Sequence, residues 1–562
     1  MMSRYTRRDF LQTSSAALVG TTLLNATIPR RLFARVHEGN LFPLERSEQK
    51  SLTGAAIDAA RRAGALYADV HIRTTRREIY GRLDGAAQRD ELNKNPEYEL
   101  TMGFGVRALV NGYWGYAGLD GVITTDAAAK LGRDATAQAT VASKGTPREV
   151  ELAKTPVVTG EWTMPVEIDP FTVSYEEKHD VLSGMNEFAQ RLYHDTKSSA
   201  LRFVMDEGSS MIKFTKDERT FASSDGSFTV QTVYCTEAGF LINVPQDWLT
   251  EKSFYRTTSF LSFAGAGWEY IRTAPFRDHA MRLIEDGLGA RRPKPVDIGR
   301  YDVVFDAYAM AGVLSRSIGI ATQLPRAMGM EANNGGTSYL SDPLAMLGTF
   351  KVGSPLLNVT ADRSAAGGAA TVKWDDEGVE PQSTALVTDG VLTDYQTTRE
   401  SASWLAPYYQ KIGKPVRSTG SAYALGTRPM TTCPANLTMR PGARDVSFEE
   451  LVKNTTRGLA VVGGRTQADF QMLNGYGTGE LVYQITNGKL GDTVANAEYI
   501  YRAPEFWKNL VAIGGPASAG ARGFEYSDWD NGIVGAQTMV HTVSAVPAKI
   551  TGVSVVDASR KG

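Results

Sequence analysis

Small apolar residues recur at helical spacing from Ser51 to Ala63, and beyond Gly64 the segment Tyr67-Ala68-Asp69-Val70-His71-Ile72-Arg73 alternates between apolar and polar positions. A period near 3.6 followed by a period of two predicts an amphipathic helix leading into a half-buried strand, the opening of an α/β domain. Leu100 to Asp120 alternates in the same way around Asn111-Gly112, a dipeptide suited to the positive backbone angles of a type I′ turn, so a β-hairpin is expected there. Gly103-Phe104-Gly105 inside this stretch imitates a dinucleotide-binding loop, but a turn follows where the phosphate-binding helix should begin. Ser174-Tyr175-Glu176-Glu177 reads as a capping box ahead of a core-facing helix through Val181, Met185, Phe188 and Leu192. Arg291-Arg292-Pro293-Lys294-Pro295 reads as an extended linker and marks the domain boundary. Beyond it a strand from Tyr301 to Phe305 and an apolar helix from about Asp306 to Ile320 give way to short strands. The turn dipeptides there are Asp389-Gly390, Asn474-Gly475 and Asn487-Gly488. The predicted class is α+β: an N-terminal and central α/β domain over 45–290, then a large, mostly antiparallel β domain over 296–557.

Composition narrows the function. A chain of 562 residues exceeds what one core usually serves. Sixty Lys+Arg against 62 Asp+Glu leave a net charge of -2, so no global basic field draws the protein to nucleic acid or to anionic lipid. Cys235 and Cys433 are too few for a disulfide framework or a cysteine-rich zinc module, and a single bridge between them stays open. The start, Thr6-Arg7-Arg8-Asp9-Phe10-Leu11-Gln12 with a mildly apolar run from Ala16 to Leu24, looks like a twin-arginine export signal occupying 1–34. Cleavage after Ala26 or Ala34 and retention as an anchor both stay open. The expectation is a periplasmic protein that engages no membrane beyond this segment.

Conventional catalytic patterns are missing. The six histidines include no pair at i, i+4 or i, i+5, so neither HExxH nor HExxxH occurs, and G-x-S-x-G is absent as well. Two acidic groups remain. Asp375-Asp376-Glu377-Gly378 reads as a hydrated turn rather than a cation site. Glu525, Asp528 and Asp530, interleaved with Phe524, Tyr526 and Trp529, read as a solvated loop rather than a recognition surface.

The order of segments over most of the chain resembles the TldD/PmbA family, once called modulators of DNA gyrase and regarded as peptide-processing metalloproteases. The resemblance is carried by Tyr67-Ala68-Asp69-Val70, Gly103-Phe104-Gly105-Val106-Arg107 and Gly115-Tyr116-Ala117. It continues through Asn333-Asn334-Gly335-Gly336-Thr337-Ser338, Asp376-Glu377-Gly378 and Thr388-Asp389-Gly390-Val391-Leu392. Arg428-Pro429-Met430-Thr431, Val462-Gly463-Gly464 and Tyr483-Gln484-Ile485-Thr486-Asn487-Gly488-Lys489 complete it.

In catalytic members of the family a helix after an apolar strand carries HExxxH, and a cysteine near the C-terminus completes a zinc site. The corresponding helix here reads Gly312-Val313-Leu314-Ser315-Arg316-Ser317-Ile318-Gly319-Ile320-Ala321, and Gly532 or Ile533 stands about where the cysteine is expected. The resemblance therefore implies no catalytic and no metal-ligating residue in this chain, and zinc in a partner subunit instead. It implies a heterodimer with a zinc-bearing paralogue, acting on unfolded peptide, with Gly335, Gly336, Thr337 and Ser338 as the peptide-contacting residues. Two other readings stay open: an active metallopeptidase with atypical ligands such as His541 and the Glu525 to Asp530 loop, or a peptide-binding protein without catalysis.

Overall fold

The strand that opens at Tyr67 runs on to Gly81, well past the alternation that marks it in the sequence. A computed structural model describes residues 44–81, 96–144, 150–184, 210–245, 255–273, 294–332, 335–424, 429–528 and 537–559 of the chain. The proposed export signal lies outside them, as do Met185, Phe188, Leu192, Gly532 and Ile533.

Seven strands make the sheet of the N-terminal half. Their order is Tyr113–Asp120, Glu97–Val110, Tyr67–Gly81, Ser210–Ser223, Phe228–Pro245 and Thr159–Thr163, with Tyr255–Ala264 also paired to Phe228–Pro245. All neighbours are antiparallel except Thr159–Thr163 and Phe228–Pro245. The first hairpin turns at Asn111 and Gly112, with φ of 48° and 78°, the type I′ geometry the dipeptide favours. Two helices, Arg46–Arg62 and Thr125–Ala142, belong to this half, the second capped by the Thr124 hydroxyl, which accepts from the Ala127 N–H. They touch through small residues: a Cβ on Gly132 would lie 2.2 Å from the Ala56 carbonyl oxygen. A Cβ on Gly115 of the hairpin would lie 1.9 Å from that of Ala135.

The C-terminal half is built on a ten-stranded and a six-stranded sheet. In the first, Gly299–Phe305 lies between Ala548–Asp557, antiparallel, and Arg457–Val462, parallel. In the second, Leu437–Met439 joins Val359–Ala361 to the hairpin of Gly520–Asp528 and Gln537–Ala545. Helix Ala307–Leu314 packs against strands of both sheets, and nearly every residue of it is buried, as a segment apolar all round must be. From Ser51 onward the two halves pack as one compact unit. The mixed α+β class expected from the sequence is the observed one.

Several local expectations change. Asn487-Gly488 and Asp389-Gly390 turn as predicted, with both residues of each pair at positive φ, but Asn474 is the first residue of a strand. The chain reverses earlier, where the Asp469 carboxylate accepts from the N–H groups of Gln471, Leu473 and Asn474 and Met472 takes φ of 56°. At the end of the expected linker, Lys294 and Pro295 pair with Val494 and Ala495 instead of running free, while 291–293 lie outside the described residues. Ser174 does cap its helix, accepting from the Glu177 N–H at 3.1 Å. Glu525 is not in a solvated loop: it lies within the strand Gly520–Asp528, opposite Val540, while Trp529 and Asp530 lie outside the described residues. Nor is Asp375-Asp376-Glu377 a hydrated turn, since all three carboxylates are buried.

Candidate functional site

Asp306 ends the strand Gly299–Phe305, and its carboxylate accepts from the Ala309 N–H at 2.7 Å, so the helix starts at a fixed point on the sheet. The helix then widens into a π-helical stretch over Ser315–Ile320, a form concentrated at functional positions because it re-aims side chains. Ser315 meets His541 at 2.9 Å from Oγ to Nε2, and Ser317 donates to the Val313 carbonyl while accepting from Trp507 Nε1 at 2.9 Å. His541 is fully buried, and no described residue pairs with its Nδ1. Burial, helped by the charge of Arg316, pushes its pKa down to about 3, so the ring is neutral at physiological pH. Burial also lowers the pKa of Arg316, which Tyr526 and Tyr501 partly offset.

Ten residues further on, Arg326 organises the region. Its guanidinium donates to the carbonyls of Thr337 at 2.8 Å, Phe470 at 2.9 Å and Gly335, and to the Tyr526 hydroxyl at 2.7 Å. The four predicted peptide-contact residues are therefore tied into the chain itself. Thr337 N–H donates to Phe470 O at 2.8 Å, and Ser338 Oγ donates to Ala321 O at 2.7 Å. The N–H groups of Gly335 and Gly336 both point to Glu331 O. Tyr339, next in line, donates to the Ser317 carbonyl, so this segment, the π-helical turn and the hairpin of Tyr526 and His541 converge. Thr337 and Ser338 nevertheless also line a cleft of about 800 Å³, with Met328, Phe350, Gln471 and Arg502 among its other walls. Asn333 and Asn334 lie outside the described residues.

The acidic triplet serves a different purpose. Asp375 accepts three backbone N–H groups, from Glu377, Val379 and Ala422, and Asp376 accepts from Ala424. Glu377 pairs with Arg107 at 3.1 Å and accepts from the Arg399 N–H, and Arg107 in turn grips Asp69. These residues clamp the N-terminal sheet to the C-terminal half. Burial, reinforced by Glu377, pushes the Asp375 carboxyl up to about 7.

Sequence reasoning missed Arg326, although a lone arginine in the apolar run Ile320-Ala321-Thr322-Gln323-Leu324-Pro325-Arg326-Ala327-Met328 is a usable signal for a buried cation with many acceptors. It also missed that Cys235 and Cys433, both unbridged, line one cavity between the two halves.

With this geometry in view, residues 298–544 match the PmbA/TldA metallopeptidase C-terminal domain. The C-terminal half is a PmbA/TldD-family domain. A metalloprotease of Methanocaldococcus jannaschii is 23% identical over 408 residues, covering 71% of this chain and 81% of the relative. A metalloprotease of Methanothermobacter thermautotrophicus is also 23% identical, over 80% of this chain and 88% of its own. The PmbA metalloprotease of Escherichia coli O157:H7 matches over 26% of the chain at 25% identity. The PmbA/TldD likeness in fold extends over both halves. A Thermotoga maritima protein described as a modulator of a DNA gyrase superposes with a TM-score of 0.65 at 16% identity, over 90% of this chain and all of that one. TldE from Thermococcus kodakarensis gives 0.61 at 14% identity, over 89% of this chain and 98% of its own.

The family implies zinc at the helix after Gly299–Phe305. The described residues there do not fit it. Zinc sites use imidazole, thiolate and carboxylate lone pairs, whereas this turn offers a serine hydroxyl already bonded to His541, a second serine bonded on both sides, and a guanidinium with no lone pair to give. Among the described residues no three His, Cys, Asp or Glu side chains converge as metal ligands.

Proposed function

We propose that this chain is the non-metal subunit of an exported heterodimeric metalloprotease acting on unfolded peptides, the zinc being held by a PmbA/TldD-family paralogue. The observation that carries the reading is the occupancy of the turn Ser315–Ile320. His541, the imidazole that the described residues place beside it, has its Nε2 on Ser315 and is kept from protonation by burial, so that nitrogen is engaged within the chain. A peptidase zinc needs three protein ligands and an open fourth position, and Arg316 sets a positive charge in that neighbourhood.

The cleft lined by Thr337 and Ser338 supports a role in peptide contact through its size and its mixed polar and apolar walls, which include Met328, Phe350, Gln471 and Arg502. Twin arginines at Arg7 and Arg8 support export by a route that carries folded proteins, which suits a subunit assembled with its partner beforehand. No helix among the described residues is long and apolar enough to cross a membrane.

Co-expression with a zinc-bearing PmbA/TldD-family paralogue of the same cell, affinity purification of this chain and elemental analysis test the proposal. The expected result is a heterodimer with zinc that degrades unfolded casein only when both chains are present. A preparation of this chain alone that contains stoichiometric zinc and cleaves casein overturns it.

A further inference from the structure

The face of the N-terminal sheet turned toward the C-terminal half encloses a second cavity, of about 240 Å³. Arg73 and Arg219 stand directly opposite each other on adjacent antiparallel strands, an arrangement that like charges disfavour. Asp217 holds them together, accepting from the Nη2 group of each. The Arg73 Nη1 group donates to the Ala424 carbonyl, and both guanidinium groups lie over the Tyr423 ring, 4.9 and 5.6 Å from its centroid. The Nε–H groups of Arg73 and Arg219 are buried, and no described residue accepts from either. Arg73 as a whole is 9% exposed. Both arginines line the cavity and share a single aspartate, so an anion admitted there adds acceptors that Asp217 alone does not supply.

The geometry points to a binding site for the C-terminal carboxylate of a peptide, received by the guanidinium groups of Arg73 and Arg219. Apart from the ion pairs of Lys213 and Arg77, the lining holds Arg73, Arg219 and Arg363 against Asp217 and Glu525, a single surplus positive charge that suits a monoanion such as a carboxylate better than a phosphate dianion. The volume lies below the roughly 300–1,000 Å³ common for drug-sized ligands, enough for the end of a chain rather than a long segment. Toward the rim, Lys213 is already neutralised by Glu237 and Arg77 by Glu99, so the charge is concentrated at the inner end. The inference rests on the peptide reading above and adds to it a preference for free C-termini.

Calorimetric titration of the full-length chain with N-acetyl-trialanine and with the same peptide as its carboxamide tests this. The acid is expected to bind at least about tenfold more tightly than the amide, the scale of a charge-assisted hydrogen bond. Arg219→Gln is expected to remove that difference by weakening the acid alone. Equal affinity for acid and amide, binding of neither, or inorganic phosphate matching the acid overturns the assignment, and the acid-amide comparison needs no variant to fold. An active zinc heterodimer with no acid preference sinks this inference and leaves the subunit reading intact. An acid preference in a chain that recruits no zinc-bearing partner does the reverse.

Discussion

His541 and Arg326 show how differently two buried polar residues can be accommodated. His541 is neutral because burial and the nearby Arg316 make its proton expensive, and its folded pKa of about 3 lies below the ordinary 6.5. Between those values the unfolded chain binds the proton more readily. The contribution of His541 is therefore complete above about pH 6.5 and is lost as pH falls toward 3. Relative to the wild type, His541→Leu should lose stability less steeply on acidification across that window, as read from urea midpoints at successive pH values; an unchanged slope contradicts the buried neutral ring. Arg326 spreads its donors over three carbonyls, the Tyr526 hydroxyl and, at 3.5 Å, the Glu331 carboxylate. Arg326→Met strands those acceptors and should cost at least about 3 kcal/mol in chemical denaturation. A loss under about 1 kcal/mol would mean that solvent or a neighbour replaces the guanidinium.

Among the elements, the contact of the two N-terminal helices with the hairpin depends on the absence of side chains at particular places. Gly115→Ala would drive a methyl group into the backbone of Thr125–Ala142, and a destabilisation of about 3 kcal/mol is expected. Gly54 is the control. It lies in helix Arg46–Arg62 with nothing within 4 Å of a built Cβ, so Gly54→Ala should stabilise by about 0.5–1 kcal/mol through reduced backbone entropy. Thermal melts of the two variants should therefore move in opposite directions. Two shifts of the same sign would show that the helices can slide to make room.

Across the whole molecule, buried charge joins the two halves. Arg107 bridges Asp69 on the sheet and Glu377 on the C-terminal half, and Arg399 reaches back to the Ala153 carbonyl and the Tyr67 hydroxyl. Asp375, beside this seam, is pushed up to about 7 from 3.8 by burial and then by Glu377. A raised carboxyl pKa means that the folded state holds the proton more tightly. Its contribution is therefore greatest below about pH 4 and declines as pH rises through 7, opposite in sign to that of His541. Asp375→Asn should remove that decline, so its stability relative to the wild type should rise between pH 4 and 7. A ratio that stays constant over the range would place the Asp375 proton elsewhere.

The α+β class, the Asn111-Gly112 hairpin and the helix after Phe305 were legible in the chain because each depends on neighbours within a few residues, through periodicity or turn chemistry. The family resemblance was legible for a related reason, since ordered short motifs survive in one dimension. What the sequence did not decide is which polar residues meet. Asp375 to Glu377 and Glu525 read as wet because an acidic run has no visible partner in one dimension, yet burial, backbone donors up to 48 positions on and, for Glu377, Arg107 at 270 positions' distance gave the triplet its role, while strand pairing with Val540 placed Glu525. The same holds for Arg73 and Arg219, whose juxtaposition depends on the register of two strands separated by more than a hundred residues. Local order follows from local energies, whereas a site depends on long-range closure of the chain, which only the packed structure supplies.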